Sequence, residues 1–236
     1  MHRFFVSPSL IIKTAFLNEP DIVHQIYKVL RKKSGDQIIL CDNTGTEYIA
    51  EITEISKKEV RGKIIEKREN QAEPEIKITL YQALPKNPAK FEQVLQHGTE
   101  IGITKFVPIL TERTEVQKLR NIERAKRIIR ESAEQSERGK LPELAEPIRW
   151  NDIWKNPPTG LNLVADSYTF DPLLNKLLPK IKNEKFINIF VGPEGGFTKT
   201  EIGLAAGAKA RCFSLGPRIL RTETAGLSIA SAILFS

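Results

Sequence analysis

The chain has 236 residues, 40% hydrophobic and 28% charged, which excludes a disordered or collagen-like polymer and predicts one or two domains at about 150 residues each. Thirty-six Lys and Arg against 29 Asp and Glu leave a formal charge of +7, which favours an anionic partner, nucleic acid before membrane. Cys41 and Cys212 stand far apart with no Cys/His cluster, which rules out a disulfide framework, argues against a metal site and fits the reducing cytoplasm.

The opening Met1-His2-Arg3-Phe4-Phe5-Val6 turns polar at Ser7-Pro8-Ser9, too soon for a signal peptide, and no apolar run reaches the length of a membrane span. From Glu19 to Leu30 the apolar positions Ile22, Val23, Ile26, Val29 and Leu30 predict a helix, closed by the basic run Arg31-Lys32-Lys33 and Gly35. Ile38–Cys41 and Glu47–Ile52 predict two strands joined across Asp42-Asn43-Thr44-Gly45, and Val60–Ile65 a third. Together they read as a small β-barrel with one helix. Residues 66–75 carry no large apolar side chain, so the domain boundary is expected near residue 72.

Beyond the boundary the rhythm becomes strand, helix, strand. Ile76–Leu80, Phe106–Leu110, Leu161–Ala165, Phe186–Val191 and Arg211–Leu215 read as strands, several of them continuous apolar runs of the kind buried in parallel sheets. Phe91, Val94, Leu95 and Ile101 mark one helix, Leu119, Ile122, Ala125, Ile129 and Ala133 a second, and Ala225, Ile229, Ala232 and Ile233 the last. This alternation predicts an α/β domain over residues 73–236 with a mainly parallel sheet. His24 and His97 fall on helical patterns as packing or surface residues, and Trp150 and Trp154 give no sign of a cofactor cage.

Ligands of open parallel sheets bind at loops leaving the carboxyl ends of strands. One such loop is Gly192-Pro193-Glu194-Gly195-Gly196-Phe197-Thr198, whose glycines admit a ligand close to the backbone and permit positive φ. It lacks the lysine of a P-loop and the spacing of a dinucleotide fold. A tight turn capped by Thr198 accounts for the glycines alone, but Glu194 among backbone amides points to a ligand. The second loop, Leu215-Gly216-Pro217-Arg218-Ile219-Leu220-Arg221-Thr222-Glu223-Thr224-Ala225, offers Thr222 as an N-cap and Glu223 near a helix start. The pair would form one pocket walled chiefly by backbone.

These two loops resemble those of the SPOUT superfamily of S-adenosylmethionine-dependent RNA methyltransferases, and more closely the ribosomal RNA small subunit methyltransferase E family. His2-Arg3-Phe4-Phe5, His97-Gly98-Thr99-Glu100-Ile101-Gly102-Ile103 and Glu134-Gln135-Ser136-Glu137-Arg138 fit the same family, so the likeness runs the full length. The resemblance implies a PUA-like RNA-binding barrel over residues 1–72 and a SPOUT domain tied in a trefoil knot. It implies bent S-adenosylmethionine held by three loops: the one after Val164, with Asp166-Ser167-Tyr168; Gly192, Pro193, Glu194, Gly195 and Gly196; and Leu215, Gly216, Pro217, Leu220, Thr222, Glu223, Thr224 and Ala225. It also implies a homodimer without metal or membrane, methylating uridine N3 in the decoding region of 16S rRNA, within the assembled small subunit.

Uridine N3 carries a proton, so methyl transfer at neutral pH needs a base or a cation that stabilises the uracil anion, besides alignment, which can supply about 7–11 kcal/mol. Arg138, Glu134, Arg221 and Glu223 are the candidates within the family motifs, with Arg138 expected to face the developing charge. Residues 118–140 hold eight basic and four acidic residues, so RNA is expected along this helix at Arg127, Arg130 and Arg138, with Arg3, Arg31, Lys32 and Lys33 in the barrel. A SPOUT enzyme with a ribose 2′-hydroxyl or tRNA target, and a non-catalytic ribosome-assembly factor, remain as alternatives.

Overall fold

The computed structural model describes residues 1–11, 14–167, 173–181 and 183–236. They form two compact units. The first comprises Met1–Glu73 with Ala133–Leu141, and the second Pro74–Ser132 with Pro142–Ser236. The expected boundary near residue 72 treated everything beyond it as one piece, whereas residues 133–141 pack with the first unit.

In that unit, β1 (Arg3–Phe5), β2 (Thr14–Leu17), α1 (Pro20–His24), β3 (Gln37–Cys41), β4 (Thr46–Ile55) and β5 (Val60–Glu69) follow in order. A π-helical turn over Gln25–Val29 prolongs α1, and Arg31, at φ 52°, ends it. The five strands run β1-β3-β4-β5-β2, with β1 parallel to β3 and the other pairs antiparallel. The predicted hairpin across Asp42–Gly45 is present, with Asn43 and Gly45 at positive φ. Register shifts at Ile49/Ala50 and Ile52/Glu54 bend β4 against β5. Phe4, Leu17, Ile26, Ile38, Leu40 and Ile52 fill the core. The polar stretch expected to hold the domain boundary is partly strand: residues 66–69 pair with Thr46–Ile49, because a two-stranded ladder needs backbone, not apolar side chains. The short strands β1 and β2 were not foreseen.

The second unit contains β6 (Lys77–Ala83), α2 (Pro88–Ile101), β7 (Lys105–Leu110), α3 (Ile122–Gln135, ending in the first unit), β8 (Glu143–Leu144), β9 (Ile148–Arg149), α4 (Trp150–Ile153), β10 (Leu161–Ala165), α5 (Leu174–Ile181), β11 (Phe186–Val191), α6 (Lys199–Gly207), β12 (Arg211–Phe213) and α7 (Thr222–Leu234). The sheet runs β12-β10-β11-β6-β7-β8, with β9 also on β7, and every pair is parallel. Leu163, Ile187, Ile189 and Leu80 face one layer with Ile229 and Phe91, while Val164, Phe190 and Ala83 face the other with Trp150 and Ala205. Both faces are therefore covered, as the continuous apolar runs required. Leu119 lies before α3, not on it, and α5 was missed because Pro179 sits inside it.

Gly98 and Gly226 let helices approach this sheet: an added Cβ would stand 2.7 Å from Phe106 and 2.9 Å from Leu80, respectively. After β12, at the far edge beside β10, the chain returns so that α7 packs on α2 and β11. Both cysteines are free thiols, and burial pushes the Cys41 thiol up to about 11. Among the described residues no helix is long and apolar enough to cross a membrane.

Candidate functional site

Because the strands are parallel, the carboxyl ends of β10, β11 and β12 open side by side, and their loops enclose a pocket of about 290 Å³. Ala165, Asp166 and Ser167 line it after β10, Gly192, Pro193, Glu194, Gly196 and Phe197 after β11, and Ser214 through Arg221 in part after β12. Tyr168, named with the first loop, lies outside the described residues.

The β11 loop is held from beneath by aromatic packing. Phe197 packs tilted at 4.4 Å on buried Trp150, which itself meets Phe190 edge-on and donates from its indole N–H to the carbonyl of Glu201. A Cβ on Gly192 would meet the Phe197 ring at 3.2 Å, so any larger residue must push the ring aside by a few tenths of an ångström. Pro193 to Gly196 form a turn closed by the Gly196 N–H on the Pro193 carbonyl, with Gly196 at φ 68°. Thr198 caps α6 as expected, in a reciprocal capping box with Glu201, whose other oxygen accepts from the Glu112 amide.

The loop after β12 turns at Gly216, φ 120°, with Ser214 and Gly216 exchanging hydrogen bonds. Thr222 is not the N-cap of α7; that position is Arg221, without a side-chain cap bond. The Thr222 hydroxyl is buried instead, donating to the Gly192 carbonyl at 2.6 Å and accepting from Gln82 at 2.8 Å. One hydroxyl thus ties the start of α7 to the β11 loop.

Cations and acids share the rim. Lys90, Arg218 and Arg221 line the pocket beside Asp166 and Glu194. Added Cβ atoms on Gly196 and Gly216 meet nothing within 4 Å, so space stands open over both glycines. Open backbone, apolar Leu215, Ile219 and Leu220, and acids at the rim fit a cofactor that combines a flat heterocycle with cationic groups.

The other candidates are distributed differently. Val164 points into the core, with Ala165 at the pocket in its place. Gly195 faces Arg113, whose guanidinium donates to its carbonyl at 2.6 Å, and it does not line the pocket; nor do Gly216, Pro217, Glu223 or Thr224. Glu223 reaches the site through Lys90 at 3.4 Å. Arg138 and Glu134 belong to the first unit and are not pocket residues. Arg138 is 3% exposed, its guanidinium bonded twice to Glu73, while Glu134 accepts from the Phe5 amide.

Arg3, expected to meet RNA, is buried, and its guanidinium pairs with Glu47; a group enclosed by its counter-ion cannot also hold a phosphate. Arg31, Lys33, Arg127 and Arg130 are exposed and Lys32 is half-buried. On α3, Arg124 forms a two-bond pair with Glu92, and Arg127 stands 3.8 Å from Glu131. Sequence reading missed Lys90, Gln82, Glu47 and Glu73, since no motif marks a residue whose partner lies scores of positions away.

The RNA methyltransferase domain family matches residues 72–234, and the RNA methyltransferase PUA domain family matches residues 17–65. The ribosomal RNA small subunit methyltransferase E of Synechocystis is 34% identical over 95% of this chain and 74% of its own length. The Bacillus subtilis protein of the same name is 32% identical over 90% of this chain and 87% of its own. In three dimensions, the Neisseria gonorrhoeae ribosomal RNA small subunit methyltransferase E, a crystal structure bound to S-adenosyl methionine, superposes with a TM-score of 0.90 at 28% identity, covering 99% of this chain and 96% of that one. The chain belongs to the ribosomal RNA small subunit methyltransferase E family.

Proposed function

We propose that this chain uses S-adenosylmethionine to methylate N3 of a uridine in the decoding region of 16S ribosomal RNA. The observation that carries the reading is the pocket built from three neighbouring strand ends, open over Gly196 and rimmed by Asp166 and Glu194. The cofactor, when bound, supplies an electrophilic methyl group on a sulfonium. Gly192, Gly196, Leu215 and Leu220 would hold it, with the acids favouring its positive charge. No metal is needed for such an in-line displacement.

What the protein adds is alignment and charge. Arg221, exposed at the N-cap of α7 and bordering the pocket, is the cation we assign to the uracil anion that forms as N3 loses its proton. Arg138 and Glu134 we assign to positioning, since each is bonded to a partner within its own unit. RNA capture rests on the exposed Arg31, Lys33, Arg127 and Arg130 and the half-buried Lys32, and the target base is unstacked to reach the pocket, at a cost of a few kcal/mol. The same reading includes a homodimer acting in the cytoplasm on the assembled small subunit, and a trefoil knot; the order β12-β10-β11, with α7 returning to α2, supports the knot.

Nucleoside mapping of 16S rRNA from a deletion strain tests substrate and chemistry together. Loss of 3-methyluridine, restored by the wild-type gene, is the expected result. Unchanged 3-methyluridine, or loss of a ribose or tRNA methylation instead, removes this assignment.

A further inference from the structure

Lys90 occupies the third position of α2, behind the Asn87 cap and Pro88. A helix N-terminus carries partial positive charge, so a lysine there is disfavoured by a few tenths of a kcal/mol and an acid preferred. The first turn of α2 has no acid. Two carboxylates from elsewhere supply the missing charge: Glu194 of the β11 loop, 3.5 Å from the Lys90 Nζ, and Glu223 of the first turn of α7, 3.4 Å from it. Glu223 Oε2 is buried with no hydrogen-bond partner among the described residues, so Lys90 is the charge that faces it. The lysine also lines the pocket and is 27% exposed, which keeps the ammonium within reach of the cavity; its pair with Glu223, 13% exposed, is the sheltered one, and Glu194 is exposed at 43%.

We propose that Lys90 is a positioning residue for the cofactor pocket, a cation that clasps the β11 loop and the start of α7 to α2 and so fixes two of the pocket's three walls. The inference rests on the methyltransferase reading above. Thr222 already ties the same two walls at their base through Gly192, 30 residues apart in sequence. Lys90 does so at the rim, where a ligand enters. With the lysine gone, Glu194 and Glu223 repel, the rim opens, and bound ligand leaves sooner. Chemistry on a properly seated ligand is unaffected, because the lysine is assigned no reacting atom.

The test uses the full chain as wild type, Lys90→Met and Lys90→Arg. Methionine keeps the apolar stem and the helix propensity while removing the charge. Calorimetry with S-adenosylhomocysteine and steady-state kinetics on small ribosomal subunits are the readouts, beside the thermal midpoint as a check of folding. Lys90→Met is expected to raise the Kd for S-adenosylhomocysteine and the KM for S-adenosylmethionine roughly ten-fold, with kcat within about two-fold. Lys90→Arg restores both, and the difference shrinks at 1 M salt, where screening acts over about 3 Å.

Unchanged Kd and KM in a folded Lys90→Met protein overturn the clasp. So does a loss confined to kcat, or one that arginine fails to rescue. Glu223→Gln gives the same test from the partner's side: the double variant binds no worse than the weaker single one, and additive losses refute the pairing. A folded wild type that binds neither ligand overturns the methyltransferase reading itself, a result distinct from any change between variants.

Discussion

The first unit and the second each hold a cluster of charges drawn from distant parts of the chain, and the two are built to opposite ends. In the first, Glu47 is almost wholly enclosed and accepts from Arg3, Arg68 and Asn70. Burial raises its carboxyl, but those hydrogen bonds outweigh burial and hold it below the ordinary carboxylate value. Beside it Glu73 accepts from the Arg138 guanidinium and from the amides of Gly139 and Lys140. In the second, Lys90, Glu194 and Glu223 stand at longer range around a cavity; each cluster leaves one buried polar atom without a hydrogen-bond partner among the described residues, Arg3 Nε in the first and Glu223 Oε2 in the second. Carboxylates that accept several short bonds, as Glu47 and Glu73 do, fix a chain segment. Charges left short of partners beside open space remain able to bind.

The sharpest way to break that contrast is to remove one member of the closely bonded cluster. Arg138→Ala leaves Glu73 in a sheltered site without its cation, and such losses cost about 3–5 kcal/mol. Urea unfolding should show that fall, and the paired change Arg138→Met with Glu73→Leu should recover much of it. An Arg138→Ala protein of normal stability with turnover alone abolished would return the arginine to the chemistry.

How much of this was readable beforehand follows from how local each signal is. The β11 turn was legible because its glycines, Thr198 and the strand before it are contiguous, and the structure seats Thr198 as the cap of α6. Thr222 was misread for a matching reason: its composition suits an N-cap, and only the approach of Gly192 and Gln82, 30 and 140 positions away, draws its hydroxyl inward. Arg138 and Arg3 were expected to meet RNA, and Arg138 the developing uracil charge, because their counter-ions Glu73 and Glu47 sit 65 and 44 positions away in sequence. The polar segment around residue 70 looked like a domain boundary because polar residues form a core only when they satisfy one another. Asn70 does so, donating to Glu47 and to the carbonyl of Glu137.

Thr222→Val sharpens the comparison inside the second unit. It keeps the shape of the side chain but strips the hydroxyl from Gly192 and Gln82, leaving buried polar groups unpaired at a cost of about 1–3 kcal/mol. Because the same hydroxyl anchors a pocket wall, affinity for S-adenosylhomocysteine should fall alongside the thermal midpoint. Weaker binding at wild-type stability would separate the anchor from the fold.

The smallest effect belongs to charges that neither saturate a core nor border a cavity. Arg127 is 63% exposed, and its carboxylate neighbour Glu131 is 66% exposed at 3.8 Å. A solvated pair of this kind on a helix contributes less than about 0.5 kcal/mol, so Arg127→Ala should leave the unfolding midpoint nearly unchanged. Its value lies in binding: if the guanidinium neutralises a phosphate, the slope of log affinity for RNA against log salt should shrink by about one. A wild-type slope would mean that the basic face of α3 is solvated charge and that RNA lies elsewhere. A destabilised variant would mean that exposure is a poor guide to which charges this fold depends on, and the contrast between the two units would fail at its simplest point.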